Sequence, residues 1–247
     1  MQPTLAPAGH TTEGFDQAWQ SLATTGGWFT GAQRVAIARE CRAARECPLC
    51  RERKNALSPN AVVSEYTDHV SASPELPAAI VDAIHRITSD PGRLSRSWYD
   101  AALAGGLRGE EIVEITSIIG VTTIVDTMAR ALSNDPRALP EASGSNGAEP
   151  HRTVQAGLTL DRGWVPMVDP DSAEGMTKAM YEGVLAAAGF VFNVARSLSS
   201  VPEAIRDFFS AFFPNYSTHG PPRAGGLSRV QIELLASTTS AYNECFY

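Results

Sequence analysis

The chain has 247 residues, with 20 basic and 27 acidic side chains and a formal net charge of −7. This acidic balance argues against broad electrostatic binding to nucleic acids or to anionic membrane surfaces. Apolar residues make up 43% of the chain and charged residues 19%. Such values are typical of a globular protein that can bury a core, and they exclude disordered and collagen-like classes.

The most apolar stretch, residues 112–132, is interrupted by Glu114, Asp126 and Arg130, so it is not predicted to cross a membrane. The N-terminus lacks a basic segment followed by an apolar one, so no signal peptide is predicted. We therefore expect a cytoplasmic location. The four cysteines are then expected to be redox-active, metal-binding or buried thiols rather than a disulfide framework.

Helical periodicity dominates the chain and strand alternation is almost absent, which predicts an all-α fold. Residues 1–12, rich in proline, threonine and glycine, are predicted to be disordered. In the first half, the predicted helices cover residues 15–22, about 32–45, a segment entered at Ser58-Pro59, 77–88, a segment from Asp90-Pro91 to Gly105-Gly106, and 109–132. Pro48 is expected to interrupt the helix before it.

Residues 134–167 are rich in proline, glycine, serine and asparagine, which predicts a linker or a long irregular connection. Helical character resumes over residues 173–199 and 202–213, and again from Ser228, which forms a capping-box pattern with Gln231. The predicted organisation is therefore a disordered N-terminus (1–12), a helical redox domain (13–133), a linker (134–167) and the start of a second helical unit (168–247).

A C-x-x-C motif lies in the first half, at Cys47 and Cys50. Pro48 favours a new helix beginning at its first turn, with Cys47 at the N-cap, where backbone amides stabilise a thiolate. Residues 42–54 carry five basic and two acidic side chains. This local positive charge is expected to lower the pKa of the two thiols and to favour redox chemistry.

The alternatives for this motif are a zinc site or two inert buried thiols. Structural zinc needs four ligands, whereas Cys41, Cys47 and Cys50 supply three, and no second C-x-x-C or H-x-x-H completes the set. We therefore expect no bound metal. No P-loop, heme or dinucleotide motif is present in the sequence, so no organic cofactor is expected either.

A second cysteine segment lies at the end of the chain. Glu233 precedes Cys245 by twelve residues. Asn243 can end one helix and cap another, which places Cys245 just inside a helix N-terminus. If the two helices pack together, the Glu233 carboxylate can act as a proton relay to the sulfur. The alternative for Glu233 is a solvated surface residue.

This segment resembles the alkylhydroperoxidase D-like and carboxymuconolactone decarboxylase family, whose motif is E-x11-C-x-x-C-x3-H. Glu233 and Cys245 match its first two positions. Residues 105–115 and 126–132 look like the helix that follows the C-x-x-C in that family. The resemblance covers residues 31–133 as one complete unit and 173–247 as the opening of a second. It is closest to the alkylhydroperoxidase-related (seleno)protein subgroup.

The resemblance implies an alkylhydroperoxidase D-like helical bundle that forms homo-oligomers. It also implies peroxidatic or disulfide-reductase chemistry, in which His and Glu move protons. Lys54 stands where the motif has His, and Val35 stands where it has Glu, twelve residues before Cys47. The candidate relays for Cys47 and Cys50 are therefore Glu40, His69 and His85.

In the second unit, the partner residue and the His of the motif would fall at positions 248 and 252, beyond Tyr247. Selenocysteine is encoded by a codon that is commonly read as a stop, so we expect that the sequence is cut just before one. A frameshift or a shortened paralogue is the alternative. In either case, the chain as given is expected to rely on Cys47 and Cys50 for thiol chemistry.

The expected function is a thiol-dependent alkyl hydroperoxidase or disulfide oxidoreductase of antioxidant type. Its expected substrate is a peroxide or a small disulfide, its reductant is an external dithiol, and no nucleic acid or membrane takes part. Two alternatives stay open: a carboxymuconolactone decarboxylase-like enzyme, and a non-catalytic helical module for oligomerisation or redox sensing.

Overall fold

The computed structural model describes residues 13–142, 148–212 and 226–242. In these ranges the fold is all-α, as predicted, with a minor two-stranded antiparallel sheet. The helices are α1 (Glu13–Ser21), α2 (Gly31–Ala44), α3 (Pro48–Asn55), α4 (Ala78–Ser89), α5 (Arg96–Ala104), α6 (Gly109–Ala131), α7 (Gly175–Ala188), α8 (Asn193–Ser197), α9 (Pro202–Phe212) and α10 (Arg229–Tyr242). The strands are β1 (Leu158–Thr159) and β2 (Met167–Val168).

Helix α6 forms the centre of the core and packs against α1, α2, α4 and α9. It is long and apolar enough to cross a membrane by length and composition, and 61% of its most apolar window is buried inside the protein. Glu114 and Asp126 on this helix are themselves buried, and each is paired with arginine. These features fit the central helix of a packed core.

Local sequence fixes the start of the two helices that lead to the C-x-x-C motif. The Thr30 side chain accepts from the Gln33 N–H, and Gln33 accepts from the Thr30 N–H, so α2 begins with a capping box. Helix α3 begins as predicted, with Cys47 at the N-cap and Pro48 in the first turn. Cys47 therefore lies in the short connection between α2 and α3.

Two predicted helices begin differently in the structure. Pro91 opens a short 3-10 helix (Pro91–Arg93), and α5 begins only at Arg96, because the Ser95 side chain caps it by accepting from the Trp98 N–H. The segment entered at Ser58-Pro59 is likewise a single 3-10 turn. In both places, a turn begins at the proline as predicted, but the residues after it do not continue as an α-helix.

The irregular connection after α6 packs against the first half of the chain. The indole Nε1 of Trp19 donates to the Ala138 carbonyl at 2.8 Å, and the Arg152 N–H donates to the Gly27 carbonyl at 2.9 Å. The main hydrophobic core also contains residues from α9 beside those of α6. Residues on both sides of the predicted linker therefore share one core, and the division into repeat units stays a prediction.

A buried ion triad ties α2, α6 and α9 together. Arg34 Nη1 lies 2.6 Å from Glu114 Oε1, and Arg34 Nη2 lies 2.5 Å from Asp207 Oδ2. The second Glu114 oxygen accepts from the Trp28 N–H at 2.7 Å. Burial raises the pKa of Glu114 above its usual value, although the charge of Arg34 opposes this shift. Arg34 thus bridges two buried carboxylates, and Asp207 also pairs with Arg206 Nε at 2.8 Å.

Gly31 allows the turn between α1 and α2 to close. A Cβ at this position would lie 2.1 Å from the Ala23 carbonyl oxygen, so Gly31→Ala is expected to lower the free energy of unfolding by about 1–3 kcal/mol. Gly183→Ala in α7 is the control, because its Cβ would meet nothing within 4 Å and should raise stability by about 0.5–1 kcal/mol. Urea denaturation measures both, and equal changes would contradict the close approach.

Candidate active site

The site lies where α3, α4 and the segment before α4 converge on the C-terminal half of α2. Helix α3 supplies Cys47 and Cys50, α4 supplies His85, and the residue after a 3-10 turn (Tyr66–Asp68) supplies His69. All four side chains are buried. Packing of α4 against both α2 and α3 brings together residues that are far apart in the sequence.

Each cysteine sulfur lies beside an imidazole nitrogen. Cys47 Sγ is 3.6 Å from His69 Nδ1, and Cys50 Sγ is 3.2 Å from His85 Nδ1. Cys50 Sγ also lies 3.9 Å from His69 Nδ1, and the two imidazole rings are 4.1 Å apart between centroids. The two thiols and the two imidazoles therefore form one cluster.

The far nitrogen of each imidazole contacts a buried carboxylate. His69 Nε2 lies 2.9 Å from Asp82 Oδ1, and His85 Nε2 lies 2.7 Å from Glu40 Oε1. A carboxylate accepts a hydrogen bond, so these partners assign the ring proton to Nε2 in both histidines. Arg53 Nη1 also lies near His69 Nε2, but at 3.3 Å it is farther away than the Asp82 oxygen. The two Nδ1 atoms are then lone-pair acceptors directed at the sulfurs.

The two carboxylates are held by further donors. Glu40 Oε2 accepts from the Ala72 N–H at 2.9 Å and from the Ser71 hydroxyl at 3.1 Å. Asp82 Oδ1 lies 3.3 Å from Arg53 Nη1, and Arg53 also contacts the Ser64 hydroxyl. Each thiol thus begins a chain that runs from sulfur through imidazole to an anchored carboxylate.

The pKa directions agree with this assignment of protons. Burial would raise the pKa of Glu40, but hydrogen bonds from His85 and Ser71 outweigh it, and the pKa falls below its usual value. Burial would likewise raise the pKa of Asp82, but the hydrogen bond from His69 and the charges of nearby arginines outweigh it, and this pKa also falls below its usual value. Burial lowers the pKa of His69 despite Asp82. The carboxylates are therefore charged and His69 is neutral near pH 7.

The expectation that nearby basic residues lower the thiol pKa is wrong for Cys50. Burial, with Cys47 beside it, raises the pKa of the Cys50 thiol to about 12. The basic side chains are already engaged: Arg42 and Arg45 pair with Asp126, and Arg53 pairs with Asp82. Their charge is therefore compensated by other carboxylates, and net charge along the sequence did not reveal these pairs.

Two surface cavities reach the cysteines from different sides. One of about 220 Å³ borders Cys47 and is lined by one charged residue, Glu46, and by small or apolar residues, namely Ala43, Pro48, Val70, Ser71 and Ala72. The other, of about 240 Å³, borders Cys50 and carries three cations, from Arg45, Arg51 and Lys54. Each thiol is accordingly buried in the protein yet lies next to a small opening.

The structure brings together the first predicted set of residues: Cys47, Cys50, Glu40, His69 and His85. Glu233 lies elsewhere, on α10, with its side chain 46% exposed and 3.9 Å from Arg229. Cys245 lies outside the described residues, so a Glu233–Cys245 pair stays a prediction. Cys41 is fully buried on α2, and burial raises its pKa.

Sequence reasoning missed Asp82 and Arg53. Asp82 precedes His85 by three residues on α4, so the two residues share a helix face, and this spacing is the signal that points to a second acidic partner. Arg53 follows Cys50 by three residues on α3. Its role as the partner of Asp82 depends on tertiary packing, and spacing in the sequence does not reveal it.

Comparisons with known proteins give no assignment: no family model, no curated protein and no solved structure matches the chain. The geometry of the site and the chemistry of its residues are therefore the basis for a functional proposal.

Proposed function

We propose that the protein is a dithiol–disulfide oxidoreductase that reduces a small hydroperoxide, with Cys47 and Cys50 as the redox pair. The observation that carries the proposal is the pairing of each thiol with a histidine whose other nitrogen is bonded to a buried carboxylate. The resemblance of Glu233 and Cys245 to the alkylhydroperoxidase D-like motif implies the same chemistry. Beside Cys47 and Cys50, however, Lys54 departs from that motif.

Cys47 is the residue best placed to attack the peroxide. It occupies the N-cap of α3, and it borders the cavity of about 220 Å³. His69 Nδ1 lies 3.6 Å from its sulfur and can take the thiol proton. Asp82 then stabilises the resulting imidazolium, which is the general-base arrangement of an activated nucleophile.

In the first step, the Cys47 thiolate attacks the terminal oxygen of the hydroperoxide. An S–O bond forms, the O–O bond breaks, and the alkoxide leaves as an alcohol after receiving the proton held on His69. Cys47 is oxidised to a sulfenic acid. The small, largely apolar lining of the cavity fits hydrogen peroxide or a short alkyl hydroperoxide.

In the second step, Cys50 attacks the sulfenic sulfur. Its proton passes to His85 Nδ1, 3.2 Å away, and then to the departing hydroxide, so that water leaves and the Cys47–Cys50 disulfide forms. An external dithiol reduces this disulfide by thiol–disulfide exchange. In each cycle, one hydroperoxide becomes one alcohol and one water, and one dithiol is oxidised.

Steady-state turnover tests the proposal. The purified chain should consume hydrogen peroxide or a short alkyl hydroperoxide in the presence of a dithiol reductant, at a rate proportional to protein concentration. Cys41→Ser is the matched control, because it removes a buried thiol on α2 that has no imidazole partner among the described contacts. Its rate should equal that of the unmodified chain, and a rate no higher than that of heat-unfolded protein would refute the proposal.

A further inference from the structure

We propose that the reduced site binds one Zn²⁺ ion through Cys47 Sγ, Cys50 Sγ, His69 Nδ1 and His85 Nδ1. One potential ligand atom from each residue lies within 4.8 Å of the others, and all four residues are buried. In the sequence, only three candidate zinc ligands, all cysteines, lie close together. In the structure, Cys41 is not part of the cluster, and two histidines from separate segments complete the set of four ligands.

The spacing of the ligand atoms is close to that of a tetrahedral site, although the four atoms spread over up to 4.8 Å. Zn–S distances of about 2.3 Å and Zn–N distances of about 2.0–2.1 Å place neighbouring ligand atoms roughly 3.3–3.8 Å apart. The sulfur of Cys50 lies 3.2 Å from His85 Nδ1 and 3.9 Å from His69 Nδ1, and Cys47 lies 3.6 Å from His69 Nδ1. Small rotations of these side chains would complete the tetrahedron.

The carboxylates beyond the histidines are a second, independent feature of a zinc site. A histidine that binds a metal through one nitrogen characteristically donates its other N–H to a carboxylate or carbonyl, which fixes the ring and raises its basicity. His69 does this to Asp82, and His85 does it to Glu40. Both imidazoles therefore present an unprotonated Nδ1 in the orientation a metal requires.

The donor set selects the metal. Two sulfurs and two imidazole nitrogens in tetrahedral arrangement suit zinc, whereas magnesium and calcium prefer oxygen ligands. Four protein ligands leave no open position, as in a structural site. On binding, both thiols lose their protons to solvent, so one Zn²⁺ enters as two H⁺ leave.

The consequence for reactivity rests on the proposed function. A hydroperoxide that converts the two thiolates to a disulfide removes two of the four ligands. The zinc–dithiolate, one hydroperoxide and two protons then give the disulfide, free Zn²⁺, an alcohol and water. Zinc and peroxide therefore compete for the same two sulfurs, and the bound ion holds the dithiol in its reduced form.

Competition between the reduced chain and a chromophoric chelator for Zn²⁺ measures the binding. The expected result is one high-affinity Zn²⁺ per chain, retained by Cys41→Ser and lost by Cys47→Ser and by His85→Ala. Glu40→Gln and Asp82→Asn leave the ligands in place and should weaken affinity by about 10–100-fold. Far-UV circular dichroism of the metal-free variants confirms that they are folded.

Co²⁺ in place of zinc gives a second readout, since tetrahedral thiolate ligation produces intense visible and charge-transfer absorption. Equal zinc affinity in the unmodified chain and in folded Cys47→Ser, or the absence of one-to-one binding, would overturn the metal site. Peroxide should then release one zinc per chain from the loaded protein. Binding without such release keeps the metal site and refutes the proposed dithiol chemistry.

Discussion

Cys47→Ser is expected to reduce hydroperoxide turnover to the uncatalysed rate, a loss on the order of 10³-fold or more. The loss is this large because the proposed cycle needs both cysteines, so removing one of them stops it. The hydroxyl of serine is a far weaker nucleophile than a thiolate at neutral pH. The substitution removes one sulfur and keeps a similar shape, so stability should change little. Peroxide consumption with a dithiol reductant, followed with urea unfolding on the same samples, measures both effects.

Cys50→Ser separates the two steps of the proposed cycle. Cys47 should still reduce one equivalent of hydroperoxide, but its sulfenic acid then lacks the Cys50 thiol with which it would form a disulfide. A sulfenic-acid trapping reagent should therefore label Cys47 in Cys50→Ser and fail to label Cys47→Ser. Labelling of both variants to the same extent would contradict the assignment of Cys47 as the nucleophile.

Arg34→Met is expected to destabilise the protein by about 3–5 kcal/mol, the cost of removing one partner from a buried ion pair. Arg34, Glu114 and Asp207 have side chains no more than 3% exposed. Without the guanidinium, the buried Glu114 carboxylate would lose its arginine partner, and Asp207 would keep only its pair with Arg206, whose side chain is 40% exposed. Urea denaturation, with the slope and midpoint fitted separately, gives the change in the free energy of unfolding.

Arg39→Met is the matched control for Arg34→Met. It makes the same substitution one and a half turns further along α2, where Arg39 pairs with Glu75 at the surface and both side chains are about half exposed. Exposed pairs of this kind contribute at most about 1 kcal/mol. Similar losses for the two variants would contradict the role of the triad in joining α2, α6 and α9.

Much of the helical fold follows from local sequence. Pro48 set the start of α3, and Gly105 ended α5. The apolar periodicity of residues 109–132 gave α6 to within one residue. These features are local, because they depend on backbone donors and on apolar residues one turn apart. The start of α5 failed for the opposite reason: the Ser95 cap overrode the signal at Asp90-Pro91.

The candidate site was only partly predictable. Cys47 and Cys50 are neighbours in the sequence, so their spacing gave the redox pair. Glu40, His69 and His85 could be named only as candidates, since their convergence depends on the packing of α4 against α2 and α3. The direction predicted for the pKa shift of Cys50 was also wrong, because burial, which depends on tertiary packing, raises this pKa more than the nearby positive charge lowers it.

The most direct test of the redox assignment is peptide mapping after the reduced, metal-free chain is treated with one equivalent of hydrogen peroxide. An intramolecular Cys47–Cys50 disulfide is expected as the main product, with Cys41 recovered as a free thiol. Reduction by a dithiol should return both cysteines to the thiol form. Recovery of Cys47 and Cys50 as free thiols, or a disulfide that joins either of them to Cys41 or Cys245, would contradict the account.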